Sequence, residues 1–286
     1  MKINKISPDK SPFLQITVNI PKPPKILFYI GELPGTRVPA IAVVGTRKPT
    51  SYGVEVTSQL AGELASKGVV IVSGLALGTD ALAHKAALSA GGVTMAVLPC
   101  GLDTIVPRTN RDLAISILEH GGALLSEYPP NSTASYKSNM LERNRIVSGL
   151  SDGILITEAG ARSGTLNTAS HALAQGKDVF VVPGNITSPM SAGCNALIKQ
   201  GATPVTCAAD ILQVIAPSLL TKQPALAMGA SPLEAHIIEL LNSGLRDGDQ
   251  IQNQLRVTTP ELNSALTMLE LSGTVRALGA NQWTLR

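Results

Sequence analysis

Short apolar runs at residues 41–44, 69–72, 94–98, 123–126, 153–157 and 179–182 alternate with amphipathic stretches, and this rhythm constrains the fold most. Runs of four or five residues are too short for buried helices. They are apolar along nearly their whole length rather than at every second residue, so each needs cover on both faces. The intervening segments can supply it: Val56, Leu60 and Leu64 recur every four residues and form one stripe to lay on a sheet. The expectation is a doubly wound, mostly parallel α/β sheet of Rossmann-like type.

The rhythm stops after Asp210. Residues 216–231, APSLLTKQPALAMGAS, hold no sustained period and read as a linker. Beyond it, Leu233, Ile237, Leu240 and Leu241 mark one helix, residues 249–255 a second, and TTPELNSALTMLELSG a third that Thr258 or Thr259 opens and Gly273 closes. Two short strands around residues 279–281 complete a small winged-helix-like domain over residues 232–286. The expected division is an N-terminal extension at 1–22, a Rossmann-like domain at 23–215, the linker and the small domain. Residues 1–224 carry 19 Lys and Arg against 14 Asp and Glu, whereas residues 225–286 carry 4 against 6. Any anion site is therefore expected in the large domain.

Four runs end in glycine-bearing loops: GTRKPTSYG, SGLALGTDALAH, EAGARSGTL and PGN. In a parallel sheet these loops share the carboxyl edge, where ligands bind. Glycine permits close backbone approach, and Ser-Gly-Thr or Gly-Thr-Asp at a helix start leaves N–H groups facing a ligand. Arg47, Arg143, Arg145 and Arg162 lie on or beside these loops, with Arg143 and Arg145 placed just before the helix that feeds the 153–157 strand. The pattern points to an anion, with structural ion pairs to Glu158 or Asp152 as the rival reading for the arginines.

Chemistry on that anion is not expected. The chain has no G-x-x-x-x-G-K-[ST] and no G-x-G-x-x-G, which excludes the usual triphosphate and dinucleotide cradles, and neither a metal nor a cofactor is expected. Asp80 and His84, four residues apart, read as a dipole partner and a packing residue rather than an acid–base pair, and Glu158 as a loop-positioning group. Cys100, Cys194 and Cys207 lack ligand spacing and fit a reducing cytoplasm. Neither a secretory signal nor a membrane-spanning run is read in the sequence. Many phosphate donors without a nucleophile suggest a phosphodiester chain.

The motifs PPKILFYIGEL, AVVGTRKPTSYG, SGLALGTDALAHKAAL, AVLPCGLDTIVP, LLSEYPP, RNRIVSGLSDGILITEAGARSGTLNTASHALAQGKDVFVVPGNI and SAGCNALIKQGA occur in that order. The sequence they compose resembles the DNA-processing protein A (DprA, or Smf) family. The resemblance implies an extended Rossmann fold that binds single-stranded DNA without a cofactor, assists RecA loading during natural transformation, and forms homodimers. It assigns DNA contact to Gly45, Thr46, Arg47, Lys137, Arg143, Asn144, Arg145, Ser163, Gly164 and Thr165, with Lys199 nearby. Where the family usually has Phe-Pro-basic before Arg-Asn-Arg, this chain has Met140, Leu141 and Glu142. Met140 then stands in for the stacking ring, with weaker stacking and lower affinity expected. The alternative is a Rossmann-type nucleoside-monophosphate phosphoribohydrolase, whose P-G-G-x-G-T-x-x-E signature EAGARSGTL matches only at its Gly-Thr turn. A scaffold with a vestigial cleft is a third reading.

Overall fold

The computed structural model describes residues 2–132, 136–220, 231–279 and 281–285, the side chains of Tyr136 and Lys137 excepted. The chain divides into two compact units, Met1–Leu220 and Thr221–Arg286.

The first unit is built on nine strands: β1 (Asn4–Ile6), β2 (Leu27–Gly31), β3 (Ala40–Val44), β4 (Val70–Ser73), β5 (Thr94–Val97), β6 (Ala123–Ser126), β7 (Gly153–Ile156), β8 (Asp178–Val181) and β9 (Thr203–Pro204). Six α-helices lie between strands, α1 (Ser51–Ser66), α2 (Thr79–Ser89), α3 (Arg111–Glu119), α4 (Tyr136–Gly149), α5 (Thr165–Ala174) and α6 (Ala192–Lys199), and α7 (Ala208–Ile215) follows β9. The sheet order is β1-β2-β6-β5-β4-β3-β7-β8-β9. From β6 to β9 neighbouring strands run parallel, whereas β2 joins β6, and β1 joins β2, in antiparallel register.

Burial follows the pleat. Ala40, Ala42 and Val44 face one layer with Ile146, Val147 and Ala169 from α4 and α5, while Ile41 and Val43 face the other with Leu60 and Leu64 from α1 and Ile211 from α7. Both faces are covered, as runs apolar at nearly every position require. The chain moves outward from β3 through β4, β5 and β6, then returns to β7 on the other side of β3. Connections leaving β3 and β7 diverge, so a crevice opens at their carboxyl ends.

Residues 1–22, expected as an extension, lie within this unit. Phe13 and Leu14 are fully buried in the first core layer, and β1 adds the outermost strand. The second unit contains α8 (Pro232–Asn242), α9 (Gly248–Leu255), α10 (Thr259–Leu271) and a hairpin of β10 (Val275–Gly279) with β11 (Gln282–Leu285). Ser231 with Glu234, and Thr258 with Glu261, cap α8 and α10 reciprocally. Ile237, Ile251, Leu262 and Leu266 form its separate core. Most of the expected linker, residues 221–230, lies outside the described residues.

Candidate functional site

The carboxyl edge of the sheet is laced by backbone contacts that only glycine permits. Thr46 N donates to the Glu158 carbonyl at 2.8 Å, and Thr79 N donates to the Thr46 carbonyl at 3.1 Å, so the loops after β3, β4 and β7 hold one another. A Cβ on Gly45 would stand 2.5 Å from Thr79 Oγ1 and 2.9 Å from the Glu158 carbonyl oxygen. Gly78 takes φ +75° against the backbone of Thr46 and Arg47. At the start of α5, Ser163 Oγ accepts from Thr165 N at 3.2 Å and donates to Thr165 Oγ1 at 2.9 Å.

These loops surround a cleft of about 340 Å³ lined by Gly45, Thr46, Arg47, Met140, Arg143, Asn144, Ser163, Gly164 and Thr165, together with Ala76, Asp80 and Leu141. Residues far apart in sequence thus share one site. Arg47 is exposed, and its guanidinium lies 3.1 Å from Met140 Sδ. Asn144 donates to Asn167 at 3.2 Å, which ties α4 to α5 beneath the cleft. Lys199 is not part of this gathering. The first turn of α6 touches the cleft loops through Gly193 N on the Ala159 carbonyl, but Lys199 occupies the last turn, at the far end of the helix. Lys137 falls in α4, and its side chain lies outside the described residues.

Arg143 and Arg145 differ from the sequence expectation in two ways. They sit inside α4 rather than before it, and both are buried, at 6% and 9% exposure. Arg143 Nη1 donates to the carbonyls of Gly74, just after β4, and Val97, the last residue of β5. Its charge faces Asp80, whose carboxylate accepts from Gly74 N at 3.0 Å and Ala76 N at 3.3 Å. Burial pushes the Asp80 carboxyl up and the Arg143 guanidinium down, and each charge partly offsets the other's shift. Arg145 Nη2 reaches both oxygens of Glu127 at 2.6 and 2.7 Å. The partners expected from sequence are engaged elsewhere: Asp152 binds Arg37 at 2.6 Å, and Glu158 binds Thr50. On a helix that covers a sheet, inward side chains point at strand ends rather than solvent, which accounts for the burial of both arginines.

Glu158, 2% exposed, accepts from Thr50 N at 2.8 Å and Thr50 Oγ1 at 2.7 Å. It positions the β3 loop rather than its own, a role that its place after a strand did not reveal. His84 is fully buried, with Nδ1 2.6 Å from Thr94 Oγ1, and burial lowers its pKa from 6.5 to about 3, assisted by the Arg143 charge. Thr94 Oγ1 donates to the Ile71 carbonyl at 2.8 Å, so His84 Nδ1–H is the donor to Thr94, and the ring stays neutral without a second proton at ordinary pH. Burial raises the thiols of Cys100 and Cys194, the latter to about 11, which disfavours thiolate nucleophiles. Among the described residues no group of three or more His, Cys, Asp or Glu is placed to hold a metal ion. No helix among them is long and apolar enough to cross a membrane.

A family model for DNA recombination-mediator protein A matches residues 5–216, and one for the DprA winged helix domain matches residues 221–281. Protein Smf of Escherichia coli is 40% identical over 272 residues, covering 92% of this chain and 72% of that protein. The DNA processing protein DprA of Bacillus subtilis is 43% identical over 192 residues, 67% of this chain and 64% of that relative, so the match leaves about a third of its length uncovered. Among solved structures, DprA of Streptococcus pneumoniae superposes with a TM-score of 0.69 at 38% identity, covering 75% of each chain. DprA of Helicobacter pylori, solved to describe a single-stranded DNA binding mode, superposes with a TM-score of 0.66 at 32% identity, covering 77% of this chain and 97% of that one.

Proposed function

This chain belongs to the DNA recombination-mediator protein A family, and from that premise we propose that its cleft holds the backbone of single-stranded DNA without catalysing a reaction on it. The carrying observation is that Gly45–Arg47, Met140 and Ser163–Thr165, brought from three separate segments, line one cleft at the sheet's switch point. Each part has a use. Gly164, with open space where a Cβ would stand, lets a phosphate approach the backbone, the start of α5 presents a positive dipole end, and exposed Arg47 supplies a forked, permanent charge. Met140 offers a polarizable surface for a base, where an aromatic ring would hold it more strongly.

The absence of turnover is supported by what the candidate acid–base groups already do. Asp80 is committed to Gly74 N, Ala76 N and the Arg143 charge, and His84 is a neutral partner of Thr94. The Helicobacter pylori relative, solved to describe its single-stranded DNA binding mode, supports the choice of ligand. By family resemblance the reading extends to a cytoplasmic homodimer that passes the strand to RecA.

Fluorescence anisotropy with labelled single-stranded and duplex oligonucleotides tests the ligand. Preferential binding of the single strand, with no phosphate released from nucleoside triphosphates and no base released from nucleoside monophosphates, is the expected result. Equal affinity for duplex, or hydrolysis that disappears in Arg47→Ala, would overturn the reading. Light scattering of the free protein and RecA filament assembly on bound strands check the two partners.

A further inference from the structure

A second cavity, of about 430 Å³, opens on the same carboxyl edge between the start of α1, the end of β7 and the loop after β8. Its walls differ chemically from those of the cleft. Tyr52 presents a ring that is 44% exposed, the one aromatic among the large exposed apolar side chains of the described residues. Its hydroxyl donates to the Pro183 carbonyl at 2.9 Å, which fixes the ring against the β8 loop. Glu158 and Ser191, 2% and 5% exposed, also line the cavity, with Asn185 and Ser188 beside them. Each Glu158 oxygen takes one bond from Thr50, and a carboxylate oxygen can accept another. The loop shape is held: the Asn195 side chain brackets Gly184 with bonds of 3.3 and 3.0 Å, and a Cβ on Gly184 would strike Ser191 Oγ.

A buried carboxylate repels phosphate but accepts from the amino or imino N–H edge of a nucleobase, and a fixed, exposed ring offers that base a stacking face. We propose that this cavity is a base subsite, taking an unpaired nucleobase of the same strand whose backbone occupies the Arg47 cleft. Neighbouring strands stand about 4.8 Å apart, so sites at β3/β7 and β7/β8 lie within reach of nearby nucleotides. Glu158 is the wall between them, its carbonyl serving the cleft loop and its carboxylate facing the cavity. This inference rests on the single-strand reading above, and the two can fail separately.

The test uses the full chain and two labelled oligonucleotides of equal length, one of mixed sequence and one abasic throughout. Tyr52→Ala is expected to weaken binding of the base-bearing strand about tenfold, the scale of one lost stack, and to leave the abasic strand unaffected. Tyr52→Phe, which keeps the ring, should retain affinity for both, while Arg47→Ala should lose affinity for both. If Tyr52→Ala loses nothing, or loses equally on the two strands, the base subsite is wrong, and loss in Arg47→Ala on both still upholds the cleft. If Arg47→Ala binds both strands like wild type, the cleft reading falls and this one with it. Free deoxynucleosides at millimolar concentration should not displace the strand; displacement would assign the cavity to a free nucleoside instead.

Discussion

Arg143 and Arg47 line the same cleft, but their guanidinium groups begin from different states. Arg47 is exposed beside a thioether, so replacing it removes charge from the cleft and little packing. Arg47→Ala should lower the salt slope of single-strand binding by about 0.7 per phosphate contact while the melting temperature stays within a degree or two of wild type. Arg143→Ala should instead destabilise the fold by about 3–5 kcal/mol, because Asp80 is left buried and uncompensated. Titrations at several salt concentrations, with a melting curve for each variant, separate the two; an Arg143→Ala protein as stable as wild type would refute the buried role. His84 adds a pH dependence of known sign. Its folded pKa of about 3 lies below the unfolded 6.5, so the unfolded chain binds the extra proton between those values. Stability is then full above pH 6.5 and declines on acidification by up to about 1.4 kcal/mol per pH unit. His84→Asn should melt with a flatter profile between pH 6.5 and 4.5, and an unchanged profile would assign the acid sensitivity elsewhere. Both residues stood in legible motifs, yet the sequence placed Arg143 before a helix rather than within one, so its bonds to the strand ends were not legible.

The parallel strands from β3 to β8 were legible because they are apolar at nearly every position, and the C-terminal helices because Ser231–Glu234 and Thr258–Glu261 mark their starts. The edge strands were not. β2 alternates imperfectly between buried and half-buried positions, and β1 has three residues, too few for any period. Their membership in the sheet is decided by tertiary pairing and by Phe13 and Leu14 beneath it. Phe13→Ala should accordingly cost about 3–5 kcal/mol, as for a large core aromatic, measured by denaturant unfolding; a loss below about 1 kcal/mol would show that the first segment is dispensable. The loop after β3 makes a comparable demand. A Cβ on Gly53 would collide with Glu158 Oε2, so Gly53→Ala displaces the carboxylate from Thr50. The expected result is weaker strand binding with the helical content of α1 retained. Wild-type affinity in that variant would mean the loop does not depend on Glu158.

At the scale of the molecule, the two units have separate cores and opposite charge balance. Residues 225–286 carry 4 Lys and Arg against 6 Asp and Glu, and α10, which occupies the position of a recognition helix, contains no Lys or Arg. A duplex reader needs basic side chains there to fix position on phosphates. The cleft lies wholly in the first unit, whose core includes the partly buried Leu219 and Leu220, so a chain ending after Leu220 keeps its packing intact. Such a truncation should fold with a melting transition close to that of the larger unit in the full chain, and it should retain single-strand affinity within about tenfold, or 1.4 kcal/mol. Circular dichroism and light scattering establish that the truncated protein is folded and in the same oligomeric state as the full chain; anisotropy with the same labelled strand then gives the comparison. A larger loss in a protein that passes both controls would place a principal DNA contact in the winged helix despite its charge, and would turn attention to Arg276 on its hairpin.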